Sequence, residues 1–171
     1  MMFAFEIDKD QPVADFYHEL NLMADGLLSS EANPVAGMAN LASLLFHTLP
    51  DINWAGFYIM RDGELVLGPF HGLPACTRIP VGKGVCGTAV AEKKVMLVED
   101  VDAFPGHIAC DSASRSEIVL PISINGQVVA VLDIDSPEPA RFTSDDQKGL
   151  EVTVEHVQKH LRLSELLAPA A

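Results

Sequence analysis

Residues 117–135 read EIVLPISINGQVVAVLDID and carry the clearest structural signal in the sequence. Two apolar runs rich in Val and Ile flank the dipeptide Asn125-Gly126, which favours the type I′ turn of a β-hairpin because both residues accept a positive φ. The pattern therefore predicts two antiparallel strands, residues 117–124 and 127–135. Residues that pair across this hairpin can be identified by counting outward from the turn.

Two carboxylates interrupt the apolar run of the second predicted strand. Asp133 and Asp135 are separated by one residue, so they face the same side of the strand. Counting outward from the turn places Glu117 beside Asp135. If this face is buried, three acids converge in a pocket that binds a cation or holds a shared proton. If it is exposed, they are ordinary surface charges, and the residues alone leave both interpretations open.

The residues before the hairpin predict two helices and a further pair of strands. Pro12 suits the first position of a helix, and Asn33 precedes a proline as the N-cap of a second helix. Residues 52–60 and 64–70 are typical of antiparallel strands joined by a tight turn. Helices therefore come first and the sheet follows.

Long stretches without clear periodicity separate the other predicted elements. Residues 88–92 predict a short helix, 95–98 a strand, and a capping box at 144–147 opens the last helix. The irregular stretches are residues 68–87 and 100–116, and loops of this length commonly carry a functional site. We predict an α+β fold, with a central antiparallel sheet, the N-terminal and C-terminal helices on one face and the long loops on the other.

Composition and charge exclude several classes of partner. Among 171 residues, 11 are Lys or Arg and 24 are Asp or Glu, giving a formal net charge of −13 that repels nucleic acid and anionic membranes. Residues 1–8 lack the basic start and apolar run of a secretion signal, and no segment reaches the roughly 18 apolar residues needed to cross a bilayer. We expect a cytoplasmic protein.

All three cysteines, Cys76, Cys86 and Cys110, lie in the two irregular stretches. An odd number of cysteines in a reducing compartment argues against a framework of structural disulfides and favours reactivity. Cys86 precedes a predicted helix, whose dipole would favour a thiolate, while His107 and Arg115 are candidate cations near Cys110.

Two other interpretations of the cysteines stay open at this point. In the first interpretation, the cysteines are inert buried thiols. A zinc site is the other, because His71 and His107 would complete a Cys/His ligand set, although the cysteines are separated by nine and twenty-three residues and form no CxxC pair. Trp54 and Tyr58 likewise share one side of a strand, either as core residues or as an aromatic wall for a small methylthio or sulfonium-like ligand.

These segments resemble the free methionine-R-sulfoxide reductase family, whose members have a GAF fold. The likeness runs from about residue 13 to 162 and implies one GAF domain over residues 1–171. The matching segments are NWAGFY (53–58), LGPF (67–70), PAC (74–76), GKGVCGT (82–88), FPGHIACD (104–111), SRSEIV (114–119) and LDIDSP (132–137).

The resemblance implies a role for each cysteine. Cys110 corresponds to the nucleophile that attacks the sulfoxide sulfur, and Cys76 to the resolving cysteine that forms a disulfide with the resulting sulfenic acid. Cys86 corresponds to an auxiliary thiol. The implied reaction is the thiol-dependent reduction of free methionine-R-sulfoxide to methionine, with thioredoxin or a similar dithiol as the electron donor and no cofactor or metal.

The resemblance also assigns the pocket residues. Glu117, Asp133 and Asp135 match the family's substrate-binding carboxylates, and Trp54 and Tyr58 match its aromatic wall. One of the three acids, crowded by the others, would keep a raised pKa and protonate the leaving sulfoxide oxygen. The sequence leaves open which acid this is, and Glu117 is counted among the catalytic candidates as well as the substrate-binding residues. The remaining negative charge suits the α-ammonium of a free amino acid.

The chain departs from the family at two positions, and a second function stays open. The family commonly has Gln and Lys where this chain has His71 and Leu73, so these two residues receive no role. The alternative function is a non-catalytic GAF module that senses a small ligand, which would not need cysteines in the pocket loops. The sequence does not decide between a monomer and a homodimer.

Overall fold

A computed structural model describes residues 6–167 of the chain, so residues 1–5 of the N-terminal segment discussed above and residues 168–171 lie outside it. The helices are α1 (Val13–Ser29), α2 (Pro34–Thr48), α3 (Gly84–Glu92) and α4 (Ser144–His160), with short 3₁₀ helices at Val101–Ala103 and Leu163–Leu167. The strands are β1 (Trp54–Arg61), β2 (Glu64–Gly72), β3 (Arg78–Pro80), β4 (Met96–Val98), β5 (Ser116–Ile124) and β6 (Gln127–Ser136). Within residues 6–167, no helix has the length and apolar character needed to span a membrane.

The six strands form one antiparallel sheet in the order β3-β2-β1-β6-β5-β4. The β5–β6 hairpin turns at Asn125 and Gly126, whose φ angles of 50° and 79° fit the predicted type I′ turn. Its register pairs Glu117 with Asp135. Strict counting from the turn would place Ile134 opposite Glu117, but the register shifts by one residue between Ile122 and Ser123, and this shift brings Glu117 opposite Asp135. The turn therefore sets the start of the pairing, and the register shift decides which side chains of β5 and β6 meet at the far end of the hairpin.

One face of the sheet is covered by α1, α2 and α4, which confirms the predicted arrangement of the terminal helices. Leu120 of β5 and Leu132 of β6 point into this side and pack with helix residues such as Leu20 and Leu41 in one apolar cluster. These side chains are almost fully buried. This cluster, the helical core, is the larger of the two apolar clusters in the structure.

The first two helices begin close to the predicted residues. Pro34 is the first residue of α2, and the Asn33 side chain accepts a hydrogen bond from the Ala36 N–H at 3.0 Å. Pro12 is the N-cap of α1 rather than its first helical residue. Its fixed φ suits either position, so the local sequence alone does not separate them.

The capping box of α4 begins one residue earlier than predicted. The Thr143 hydroxyl accepts from the Asp146 N–H, and the Asp146 carboxylate accepts from the Thr143 N–H at 2.8 Å. The predicted box began at Ser144. Thr143 with Asp146 and Ser144 with Gln147 both place a hydroxyl three residues before a polar side chain, so the local pattern allows either box. A tertiary contact favours the first, because Asp146 also accepts a hydrogen bond from the Tyr17 hydroxyl at 2.8 Å.

The stretch 68–87, expected to be irregular, contains more regular structure than predicted. β2 continues to Gly72, Arg78–Pro80 forms the short edge strand β3, and α3 begins at Gly84 rather than at residue 88. Gly87 lies so close to the Pro80 carbonyl oxygen that a Cβ there would collide with it. Because the sequence here is rich in Gly and Pro, local propensity predicts a loop, and contacts with the sheet override it.

Candidate active site

A pocket lies on the opposite face of the sheet from the helical core. β1, β5 and β6 form its floor, and its walls come from the loop before β3, the start of α3 and the loop before β5. One of the eight predicted site residues, Cys76, is not among the lining residues but is disulfide-bonded to Cys110, which is. The other seven line the pocket: Trp54, Tyr58, Cys86, Cys110, Glu117, Asp133 and Asp135.

The strand register brings the three acids together on the pocket floor. Trp54, Asp135 and Glu117 form a row across β1, β6 and β5, since Asp135 pairs with both of the others. Asp133 lies two residues along β6 and faces the same side. Glu117 and Asp133 are each only 6% exposed, so the acids lie on a buried face and are not ordinary surface charges.

Burial raises the pKa of all three carboxyl groups. For Glu117 the raised pKa is due first to burial and then to the charge of Asp133. Burial raises the pKa of Asp133 to about 6 and that of Asp135 well above its ordinary value. The Asp133 Oδ1 atom is also buried without a hydrogen-bond partner among the described residues. A cluster of this kind favours taking up a proton or a cation.

Cys86 is the third residue of α3, near the helix N-terminus that the sequence indicated, but its burial opposes the thiolate that the helix dipole would favour. Its side chain is 3% exposed, and its Sγ lies 3.9 Å from Glu117 Oε1. Burial, followed by the charges of Asp133 and Glu117, raises the pKa of the thiol well above its ordinary value. Burial and the nearby acids oppose the helix dipole and favour the thiol form, whose S–H can donate to Glu117.

Cys76 and Cys110 form a disulfide. Their Cα atoms lie 5.4 Å apart, within the range that a disulfide spans, although the two cysteines are 34 positions apart in the sequence. The bond joins the loop between β2 and β3 to the loop before β5, and Cys110 lines the pocket. Tyr58 supports the first of these loops, because its hydroxyl donates to the Cys76 carbonyl oxygen at 2.9 Å.

The aromatic residues serve both as core and as pocket wall. The Trp54 ring stacks against Tyr58 and Phe70, with centroids 5.9 Å and 5.2 Å away. Trp54 also donates from Nε1 to the Leu73 carbonyl oxygen at 3.2 Å. Leu73, one of the two positions that depart from the family pattern, is 65% exposed and lies at the pocket rim. Trp54 and Tyr58 are therefore buried core residues that also line the pocket, and their contact with a ligand stays a prediction.

Sequence reasoning missed the residues that hold the Cys110 loop. The Asn53 side-chain amide donates to Asp111 Oδ2 at 3.0 Å and to Ser114 Oγ at 3.2 Å, which ties the loop to the start of β1. Asp111 and Ser114 also line the pocket. Their closeness to Cys110 in the sequence was an available signal, whereas Asn53 is 58 residues from Asp111 and is identified only by the fold.

The two candidate cations near Cys110 separate in the structure. His107 lines the pocket, with Nε2 4.0 Å from Glu117 Oε2, while Arg115 is exposed and lies outside the lining. The zinc set of three cysteines with His71 and His107 does not assemble, because two cysteines share a disulfide and the His71 ring packs against Phe46. Within the described part of the pocket, the groups close enough to share a cation are Cys86, Glu117 and Asp133.

Comparisons with known proteins show which family this chain resembles. The family model described as GAF domain matches residues 36–162. The chain is 53% identical to the free methionine-R-sulfoxide reductase of Escherichia coli over 147 residues, which cover 86% of this chain and 89% of that protein.

Solved structures extend the likeness to the fold. The X-ray structure of free methionine-R-sulfoxide reductase from Neisseria meningitidis, in complex with its substrate, is 39% identical with a TM-score of 0.90, covering 98% of this chain and 100% of that one. The reduced form of the Staphylococcus aureus enzyme is 47% identical with a TM-score of 0.82, covering 84% of this chain and 94% of that one. The chain therefore belongs to the free methionine-R-sulfoxide reductase family, whose members share the GAF fold.

Proposed function

We propose that this protein reduces free methionine-R-sulfoxide to methionine, using Cys110 as the nucleophile. The observation that carries the proposal is the Cys76–Cys110 disulfide at a pocket floored by three buried acids. This pair is the expected oxidised product of one catalytic cycle. The E. coli relative bears the name of this activity, and the N. meningitidis relative was solved with its substrate.

The first step is attack of the Cys110 sulfur on the sulfoxide sulfur. The sulfoxide oxygen leaves only if it is protonated, so a carboxylic acid must lie within reach of it. Glu117 is our candidate, because burial raises its pKa and so favours the protonated form, and because it lies beside Cys86 and His107. The oxygen passes to Cys110 as a sulfenic acid, and the sulfoxide is reduced to methionine by two electrons.

The second step regenerates the nucleophile. The Cys76 thiol displaces the sulfenic oxygen of Cys110 as water, which leaves the disulfide found in the structure. An external dithiol then reduces the disulfide by thiol–disulfide exchange and is itself oxidised. We propose thioredoxin as this donor and the cytoplasm as the compartment, because a disulfide that must be reduced in each cycle needs a reducing environment.

The acids also account for a free amino acid as substrate. Three carboxyl groups in one small buried volume repel one another when ionised, and the α-ammonium of the substrate is a cation of suitable size. We propose that Asp133 and Asp135 bind this ammonium, while Trp54 and Tyr58 contact the methylthio end. A methionine residue within a peptide lacks the ammonium and would leave the acids uncompensated.

The direct test is turnover of separated diastereomers. The reduced protein is incubated with free methionine-R-sulfoxide or methionine-S-sulfoxide and dithiothreitol, and methionine is measured. We expect catalytic formation of methionine from the R form only. A sensor of the alternative class would bind a ligand without forming methionine, so the absence of turnover with both diastereomers would contradict the proposal.

The resolving part of Cys76 is tested with Cys76→Ser. With thioredoxin, thioredoxin reductase and NADPH, we expect about one methionine per protein molecule before the reaction stalls, because thioredoxin exchanges with a disulfide. A small thiol that reaches the sulfenic acid directly should partly restore turnover. Continued wild-type turnover with thioredoxin would show that Cys76 is not the resolving cysteine.

A further inference from the structure

A second cluster of ligand-type side chains lies on the helical side of the molecule, where α1 packs against α4. Asp25 Oδ1 of α1 lies 3.1 Å from His156 Nδ1 and 2.7 Å from His160 Nε2, both on α4. The two imidazole rings stack with centroids 6.1 Å apart and planes at 10°. The three ligand atoms all lie within 4.8 Å of one another.

The spacing of these residues matches what a transition-metal ion requires. His156 and His160 are four residues apart on a helix, so their side chains occupy the same face one turn apart. Imidazole nitrogens and carboxylate oxygens bind Zn²⁺ at about 2.0–2.2 Å, which puts the ligand atoms of a tetrahedral site about 3.3 Å apart. The two distances from Asp25, 3.1 Å and 2.7 Å, are shorter than that separation by about 0.2 Å and 0.6 Å, a change that side-chain rotation supplies.

We propose that Asp25, His156 and His160 form a binding site for a divalent transition-metal ion that ties α1 to α4. The sequence signal is the HxxxH spacing in α4, which lies outside the loops considered for zinc above. Asp25 and His160 are 135 residues apart in the chain, so a bound ion links two distant segments. The site lies on the opposite side of the sheet from the pocket, and its part is to stabilise the fold rather than to react.

The surroundings of the cluster allow an ion to enter and be held. The side chains of Asp25, His156 and His160 are 40%, 21% and 15% exposed, so water reaches the site and can supply the fourth ligand.

Lys159 opposes metal binding at this site. Its Nζ lies 3.6 Å from Asp25 Oδ1 and would repel a bound cation. Because the Lys159 side chain is 66% exposed, it can swing into solvent when the ion binds. Removal of its charge should therefore strengthen metal binding, an effect that a simple hydrogen-bonded His/Asp cluster would not show.

The test is a Zn²⁺ titration of protein without a polyhistidine tag. Every variant carries Cys86→Ser and the intact Cys76–Cys110 disulfide, so that the pocket thiols do not compete for the metal. With a chromogenic chelator as competitor, we expect one Zn²⁺ per chain. Asp25→Asn should weaken binding by about tenfold or more, as expected for loss of a charged ligand. His156→Gln combined with His160→Gln should abolish binding at micromolar Zn²⁺, and Lys159→Gln should tighten it.

Controls separate this site from nonspecific binding and from loss of fold. His47 and His71 form another pair, with rings 5.7 Å apart, and the double change to Gln there should leave Zn²⁺ affinity unchanged. Asp25→Asn introduced with Cys86 intact should retain wild-type reductase activity. Zn²⁺ at 100 times Kd should raise the melting temperature of the Cys86→Ser background by roughly 5–10 °C, but not that of the double-histidine variant.

Three results would overturn the proposal. The first is no Zn²⁺ binding by the Cys86→Ser background at millimolar metal. The second is a Zn²⁺ affinity of the His156→Gln, His160→Gln variant equal to that of the Cys86→Ser background. The third is an unchanged affinity in Asp25→Asn, which would show that the carboxylate is not a ligand.

Discussion

The two faces of β6 have opposite chemistry although they alternate along one strand. Leu132 and Ile134 point into the helical core and are fully buried among apolar side chains. Asp133 and Asp135 point into the pocket, where burial raises the pKa of both. One strand therefore supports the fold with one face and the proposed reaction with the other, because successive side chains point to opposite sides.

The two faces also differ in what they contribute to stability. The helical face buries apolar surface, which favours folding. The pocket face buries carboxyl groups, and one oxygen of Asp133 lacks a partner among the described residues, which disfavours folding. We therefore expect substitutions on the pocket face to change activity while stability stays the same or rises, and substitutions on the helical face to do the reverse.

The largest expected effect is on the pocket face, with Cys110→Ser. Loss of the nucleophilic sulfur should abolish methionine formation while the protein still folds, since Cys110 lines the pocket outside the helical core. Activity and circular dichroism are measured on the same preparation. Ala109→Ser is the matched control, because it adds the same hydroxyl at the neighbouring exposed position and should retain activity. A folded Cys110→Ser protein with wild-type turnover would contradict the proposed chemistry.

The reverse effect is expected from Leu132→Ala, which creates a cavity in the helical core. The free energy of unfolding should fall by about 2–5 kcal/mol, as for other buried leucines, with kcat/KM unchanged for the folded fraction. Urea denaturation and activity below the transition measure the two quantities. Leu22→Ala, at a residue that is 62% exposed, should change stability by less than about 0.5 kcal/mol. A large loss of kcat/KM in folded Leu132→Ala would show that the two faces are not separable.

Stability against pH sharpens the comparison at Asp133. Its pKa of about 6, raised from 3.8 by burial, means that the folded state holds the proton more tightly than the unfolded state. The stabilisation is fully present below the unfolded pKa and is lost as pH rises through about 6, a difference of roughly 3 kcal/mol.

Asp133→Asn removes this pH dependence. The free energy of unfolding of the variant should equal that of the wild type at about pH 4 and exceed it at pH 7. Urea denaturation of the oxidised proteins at both pH values measures it. Glu155→Gln, at an exposed position of α4, should follow the wild type at both. Equal stabilities of wild type and Asp133→Asn at pH 7 would show that burial of this acid carries no cost.

The smallest expected effect is on substrate discrimination. If Asp135 binds the substrate ammonium, the wild type should prefer free methionine-R-sulfoxide over its N-acetyl form by roughly ten- to a hundredfold in kcat/KM, or about 1.5–3 kcal/mol. Asp135→Asn should reduce this preference, because it removes one of the charges that the ammonium compensates. Equal rates of the wild type on both substrates would show that the acids do not bind the amino group.

The contrast between the two hairpin strands and the segment 68–87 shows how far sequence reasoning reached. Asn125-Gly126 identifies the hairpin and places Glu117 near Asp135, but their direct pairing depends on a one-residue register shift between Ile122 and Ser123 that the turn does not specify. No comparable local signal defines β3 or the start of α3, where glycines and prolines dominate and contacts with the sheet decide the structure.

The sequence by itself determined the antiparallel hairpin, the acids on one face of β6, the terminal helices and, through the family resemblance, the cysteine pair. These features depend on turn chemistry, period-two alternation and capping, all of which act over a few residues. Only the tertiary structure decided that Cys86 is a buried thiol, that Asn53 holds the Cys110 loop and that Asp25 meets the two histidines of α4. Each of these facts depends on burial or on contacts between segments far apart in the chain, which no local pattern specifies.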